Sequence, residues 1–127
     1  MEGKPYLLHV NFLTAFSSNV VKKAYMNSKY KSFNHKQLDS LIHNRLRLAI
    51  LAAVGHSDEV DFMSLKYAVK TTDGNLSIQI KKLEDAGFII VNKSKQGGRI
   101  QTNVALTNKG YTALQSYKNM IDNWLDI

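Results

Sequence analysis

The chain of 127 residues has no cysteine and a single proline. The first absence removes disulfides, thiolate zinc sites, iron–sulfur clusters and thiol nucleophiles together. It also fits a reducing compartment. The second, with only seven glycines, argues against a collagen-like or disordered chain. No apolar run approaches the roughly 20 residues that cross a bilayer. The N-terminal YLLHVNFLTAF is apolar but interrupted by His9 and Asn11, and no small-residue cleavage site follows it. It is therefore not expected to act as a signal peptide, and the expected location is the cytoplasm, away from any membrane.

Catalytic constellations are missing as well. His9, His35, His43 and His56 have no i, i+4 pairing, no HExxH frame and no cysteine partner. Gly97-Gly98 is not followed by GK[ST], so no phosphate-cradling loop is present. Glu84 and Asp85 are adjacent in sequence and cannot oppose each other across a helix. These observations predict no enzyme, no metal and no cofactor.

What the sequence does have is an uneven positive charge. The formal net charge is +7. Residues 1–37 contribute +5, residues 38–87 −1, residues 88–99 +3, and the remainder is neutral. The positive charge thus lies in an N-terminal tail and in one short segment holding Lys93, Lys95 and Arg99. Such a layout suits a polyanion, whose condensed counterions are released on binding.

Residues 1–37 form a basic extension in which Lys22, Lys23, Lys29, Lys31 and Lys36 interleave with Tyr25, Tyr30 and Phe33. A helix over residues 12–26 would gather Phe12, Ala15, Phe16, Val20 and Ala24 near one face and could serve dimerisation. Met26 is an alternative start, which would place residues 1–25 outside the native chain. A domain is expected over residues 38–107, followed by a dimerisation helix over residues 108–127.

Within that domain the pattern is clearer. LDSLIHNRLRLAILAAVG reads as a buried helix from Leu38 that ends near Gly55. HSDEV is a polar connector. Asp61 suits the N-cap of FMSLKYAVK, with Phe62, Leu65 and Ala68 or Val69 inward. TTDG is a turn whose Asp73 could cap the next helix. There, Leu76, Ile80 and Leu83 fall at i, i+4 and i+7 as one apolar stripe, and Gly87 stands where a positive φ ends a helix. FIIVNKSK and IQTNVALT flank KQGGR as a β-hairpin, with Ile100, Thr102, Val104 and Leu106 sharing a face. Thr107 precedes a last amphipathic helix. The expected fold class is α+β, mainly α: a winged helix-turn-helix with a two- or three-stranded hairpin wing and flanking terminal helices.

With the stripe inward, Gly74, Asn75, Ile78, Lys81, Lys82 and Asp85 look outward, and Ser77 and Gln79 lie on the flanks. In a helix-turn-helix this helix lies in the major groove. Asn75 and Gln79 could pair with adenine, Ser77 with several bases, and Ile78 with a thymine methyl. Lys81 and Lys82 are placed for phosphates, and Thr72 lies at the helix entry. In the wing, Lys93, Lys95, Gln96 and Arg99 surround the two glycines and could follow the backbone or enter the minor groove. The alternative is a solvated helix and a solubilising hairpin, that is, a protein-interaction module without DNA binding.

The segments LDSLIHNRLRLAILAAV, DFMSLKYAVKTTDGNLSIQIKKLEDAGFIIVNKS and TNVALTNKG strongly resemble the compact winged-helix transcriptional regulators, of MarR-like and ArsR-like type. The resemblance covers about Leu38 to Tyr117. It implies a homodimer on double-stranded DNA, with residues 74–86 as recognition helix and residues 93–99 as wing. Arg47 matches the arginine of the family's first helix, for which a phosphate contact and a structural salt bridge are both open. The chain departs from the family at Ile78, where a basic residue is usual, at Gln79, where a histidine is frequent, and at Arg45 and Lys109, where proline is frequent. Operator sequence is therefore not carried over. The apolar end NMIDNWLDI suits burial against a second copy, or folding back on its own domain. A small-molecule effector would lie between the terminal helix and the DNA-binding core.

Overall fold

The computed structural model describes residues 32–127. The expected helix over residues 12–26 and most of the basic extension lie outside them. After a single 3-10 turn at His35–Gln37, the order is α1 (Arg45–Gly55), β1 (Val60–Asp61), α2 (Phe62–Val69), α3 (Asp73–Asp85), β2 (Ile89–Gln96), β3 (Arg99–Leu106) and α4 (Asn108–Trp124). His35–Ile127 hold together as one unit, α4 included.

The first helix is shorter than its apolar pattern suggests. It starts at Arg45, not Leu38, because two short polar side chains interrupt the backbone ladder. Asp39 Oδ1 accepts from the N–H groups of Leu41 and Ile42. Asn44, extended at ψ 128°, caps α1 by accepting from Leu46 and Arg47. Such local bonds offer the chain an alternative to helix. Ile42 is still fully buried, so the turn delivers a core residue without being helical.

The remaining helices begin as their capping residues dictate. Asp61 accepts from Ser64 N at the start of α2. Thr72, not Asp73, caps α3, its hydroxyl accepting from Asn75 N at 3.2 Å. Asp73 is the first helical residue and pairs with Lys66 at 2.9 Å. Between α2 and α3 the chain turns through Lys70, which sits at φ 56° in the left-handed region. Gly87, at φ 78°, follows α3.

The three strands form one antiparallel sheet in the order β1-β3-β2. The last residue of the polar connector and the capping Asp61 thus form a short strand, Val60 and Asp61 opposite Val104 and Asn103. The hairpin register runs from Ile89↔Leu106 to Gln96↔Arg99. Its two-residue tip has positive φ at both Gly97 and Gly98, the type I′ requirement that glycine meets without steric cost. Ile50, Leu51 and Val54 of α1, Leu65 of α2, Leu76, Ile80 and Leu83 of α3, and Ile89 and Val104 of the sheet form one buried core with Ile42 and Phe88.

The strand-to-helix junction before α4 explains why Leu106, Thr107 and Gly110 stand where they do in TNVALTNKG. The Thr107 hydroxyl donates to Gly87 O at 2.6 Å and accepts from Gly110 N at 3.0 Å. One side chain thereby caps α4 and ties it to the end of α3. Gly110 is buried against the Phe88 carbonyl, and any Cβ there would collide with that backbone oxygen. Leu114 and Tyr117 continue the contact of α4 with the core, and Tyr117 shares a 2.8 Å hydrogen bond with His43.

Candidate nucleic-acid interface

α3 buries Leu76, Ile80 and Leu83 and turns its other side outward. Thr72, Asn75, Ser77, Lys81 and Lys82 are exposed. Ile78 is 54% exposed in the middle of this face. The side chains of the outer face are therefore open to solvent, and the helix is anchored by the opposite stripe. Gln79 differs: it is half-buried on the flank toward α1, where Arg47 Nη1 donates to its Oε1 at 2.7 Å. Arg47 also donates through Nε to the Leu41 carbonyl. Among the described residues Arg47 forms no salt bridge; it bridges the turn before α1 to α3 through these two hydrogen bonds.

The cations on and near this face are not equally available. Lys81 lies 2.9 Å from Asp85, one turn on, and that hydrogen bond holds its ammonium pKa above the usual value. Lys66 is shifted upward in the same way by Asp73. It offsets a carboxylate that would otherwise stand uncompensated at the entry of α3. The Lys81–Asp85 pair is exposed on both sides and the Lys66–Asp73 pair on the Asp73 side, so solvent screens them and they shape local charge more than stability. Lys70 in the turn is exposed; its place beside the entry of α3 was not singled out from sequence, although a lysine in a helix-helix turn was a legible signal.

In the wing, Lys93, Lys95, Gln96 and Arg99 are all exposed. The hairpin register divides them. Side chains alternate between faces, so Lys93 and Lys95 share a face with Val91 and with their cross-strand partners Thr102 and Ile100. Val91 and Thr102 line a groove of about 360 Å³ with Ser77, Ile80, Lys81 and Glu84 of α3. Lys93 and Lys95 therefore extend the side of the sheet that looks toward α3. Gln96 and Arg99 belong to the opposite face near the tip. Ile100 keeps the phase of Val104 but is 68% exposed, because the hairpin has by then run past the core.

A helix presented this way beside a basic hairpin defines a winged helix-turn-helix. Residues 46–125 match the family model described as a winged helix DNA-binding domain. The chain belongs to that family. It is 38% identical over 77 residues to the uncharacterized protein MJ0432 of Methanocaldococcus jannaschii, covering 61% of this chain and 84% of that one. Among solved structures, it resembles a transcriptional regulator homologue from Pyrococcus horikoshii OT3, with a TM-score of 0.64 and 23% identity over 68% of this chain and 85% of that chain. A MarR family transcriptional regulator from Silicibacter pomeroyi aligns with a TM-score of 0.56 and 21% identity, over 94% of this chain and 70% of that chain. Among the described residues, no group of side chains is arranged to hold a metal ion, and no helix is long and apolar enough to cross a membrane.

Proposed function

We propose that this chain is a sequence-specific, double-stranded-DNA-binding transcriptional regulator that acts in the cytoplasm as a homodimer. α3 enters the major groove. Asn75, Ser77, Ile78 and Gln79 address base edges, and Thr72, Lys81 and Lys82 address the backbone. Lys93, Lys95, Gln96 and Arg99 of the wing lie on phosphates or in the minor groove. The observation that carries this reading is the exposure of the whole outer face of α3 directly beside a basic, glycine-tipped hairpin.

A small-molecule effector is part of the same proposal. A groove of about 430 Å³ between α1 and α4 is lined mainly by Leu48, Ala52, Leu106, Leu114 and Ile121, with His56, Tyr111 and Lys118 among its borders. Its size and apolar lining suit a small, largely apolar ligand with one polar or anionic group. A ligand there would touch the dimerisation helix and the core together.

The rival is a protein-interaction module, favoured by the exposed Ile78 and by the Lys81–Asp85 pair that reduces free charge on α3. Fluorescence anisotropy with mixed genomic fragments at two salt concentrations separates the two. Binding that weakens steeply with salt supports the regulator. Undetectable binding at low salt sinks it in favour of the module.

A further inference from the structure

The three-stranded sheet ends unevenly. β1 pairs with β3 only at Val104 and Asn103, because the chain turns into α2 at Phe62, where Asp61 caps the helix. β2 stays paired with β3 as far as Gln96↔Arg99. Among the described residues, the stretch of β3 from Arg99 to Thr102 therefore has a paired strand on one side alone. The hairpin register decides which groups stand on the open side. Gln96 and Arg99 flank the two-residue turn and form a hydrogen-bonded pair. Such pairs alternate along an antiparallel ladder. Arg99 and Gln101 thus turn their N–H and C=O groups toward β2, and Ile100 turns both of its own away from it.

This edge is one wall of a cleft of about 460 Å³, and the first turn of α2, with Phe62 and Met63, is the other. Met63 is 46% exposed and Ile100 68% exposed, so apolar side chains rim unused backbone donors and acceptors. An edge of this kind is a template for one more strand. The outer edge of β2 is open too, but it carries Lys93 and Lys95, the usual guard of a free edge. Charge selects the occupant of the cleft. No acidic residue lies between Phe88 and Thr107, and Arg99 lines the cleft at the hairpin tip. At the other end, the Asp61 carboxylate is already held by Ser64. We propose that the cleft binds an extended segment of a partner protein as an added strand on β3, with an acidic side chain on Arg99 and an apolar one between Met63 and Ile100. At roughly 3.4 Å per residue, three or four partner residues would fill the edge. The proposal stands apart from the DNA-binding reading, but the two meet at Arg99: a partner carboxylate there would withdraw a wing cation from phosphate.

A displayed library of random octapeptides, selected on the full-length chain, supplies the probe, and one enriched peptide is then synthesised. Enriched sequences should carry an acidic and an apolar residue at odd spacing, because Arg99 and Ile100 face opposite ways on β3. Amide hydrogen exchange read by NMR should show the Ile100 N–H open in the free chain and roughly tenfold slower with saturating peptide. The Gln101 N–H, bonded within the hairpin, should be protected in both. Ile100→Pro removes the outward N–H without touching the bonds to β2 and should weaken the peptide roughly tenfold; if its hairpin does not form, the exchange measurement on the wild type decides. Arg99→Gln should weaken the acidic peptide about threefold and leave its uncharged glutamine analogue unchanged. A library that enriches nothing overturns the proposal. So does a bound peptide that leaves Ile100 open, or one that protects Lys93 and Lys95 on the outer edge of β2 instead. Protection of Ile100 by duplex DNA but by no peptide assigns the edge to nucleic acid and overturns it equally. In each of these cases the regulator reading is untouched.

Discussion

Two residues at the starts of helices show how single positions hold this domain in shape. Asp61 caps α2 through Ser64, whose hydroxyl lies 2.6 Å from Oδ1 and whose N–H lies 3.0 Å from Oδ2. These bonds favour the ionised carboxyl and hold its pKa below the usual value, the Ser64 hydroxyl most of all. A depressed carboxylate pKa adds stability above the unfolded value, about 3.9, and that contribution disappears as pH falls through the lower folded value. Asp61→Ala should therefore cost about 1 kcal/mol at neutral pH. Urea titrations of the two proteins should converge as pH drops below about 4; a gap that stays constant into acid would place the cost elsewhere. Gly110 acts through space alone. Gly110→Ala inserts a methyl where the Phe88 carbonyl already stands, so α4 must move off the strand-to-helix junction. Overpacking against backbone of this kind should destabilise by about 1–3 kcal/mol, read as a lower urea midpoint. Full stability in Gly110→Ala would mean that α4 is not held against Phe88.

Elements divide into those whose signal is local and those whose signal is not. α2, α3 and α4 each combine a capping residue with an apolar stripe at helical spacing, and the hairpin combines β-branched runs with Gly-Gly. Their sequences therefore predict them closely. The start of α1 was obscured because Leu38, Leu41 and Ile42 are apolar for the sake of the core while Asp39 and Asn44 bend the backbone away from helix. β1 was invisible because two residues carry no period, and its pairing with Val104 and Asn103 is settled some forty residues downstream. Arg47–Gln79 is hidden for the same reason, a contact between residues 32 positions apart. The outer face of α3 was legible from its stripe, since placing Leu76, Ile80 and Leu83 inward leaves little freedom for the rest. The wing residues were legible as a basic cluster, but their division between two sheet faces required the register. That division makes a prediction. Lys95→Ala with Arg99→Ala removes one cation from each face while leaving α3 intact. Affinity should fall by a similar factor on every sequence, and the slope of log K against log salt should become shallower by about 2. A changed sequence preference with an unaltered slope would assign these two residues to bases instead.

At the scale of the molecule, α4 packs on its own domain at one end and, in the proposed dimer, forms the seam between two copies at the other. Its first half is committed to its own core through Gly110, Leu114 and Tyr117. Its end is different: Leu125 is 66% exposed, and Ile127 is also exposed. Apolar side chains gathered at a chain end contribute little to solubility, and covering them with a symmetry-related helix removes them from water on both copies at once. A two-fold pairing would also set two α3 helices roughly 34 Å apart, one turn of duplex, so that each half-site is read by one copy. Leu125→Asp with Ile127→Asp sets like charges against each other across such a seam without touching the buried half of α4. Sedimentation equilibrium should show the wild type as a dimer and the double variant shifted to monomer, with each domain still melting cooperatively. Binding to a two-half-site duplex should fall to that of a single half-site, because the second contact is no longer tethered to the first. A double variant that remains dimeric would move the seam to another surface, and the groove between α1 and α4 would then have to pass any effector signal by a different route.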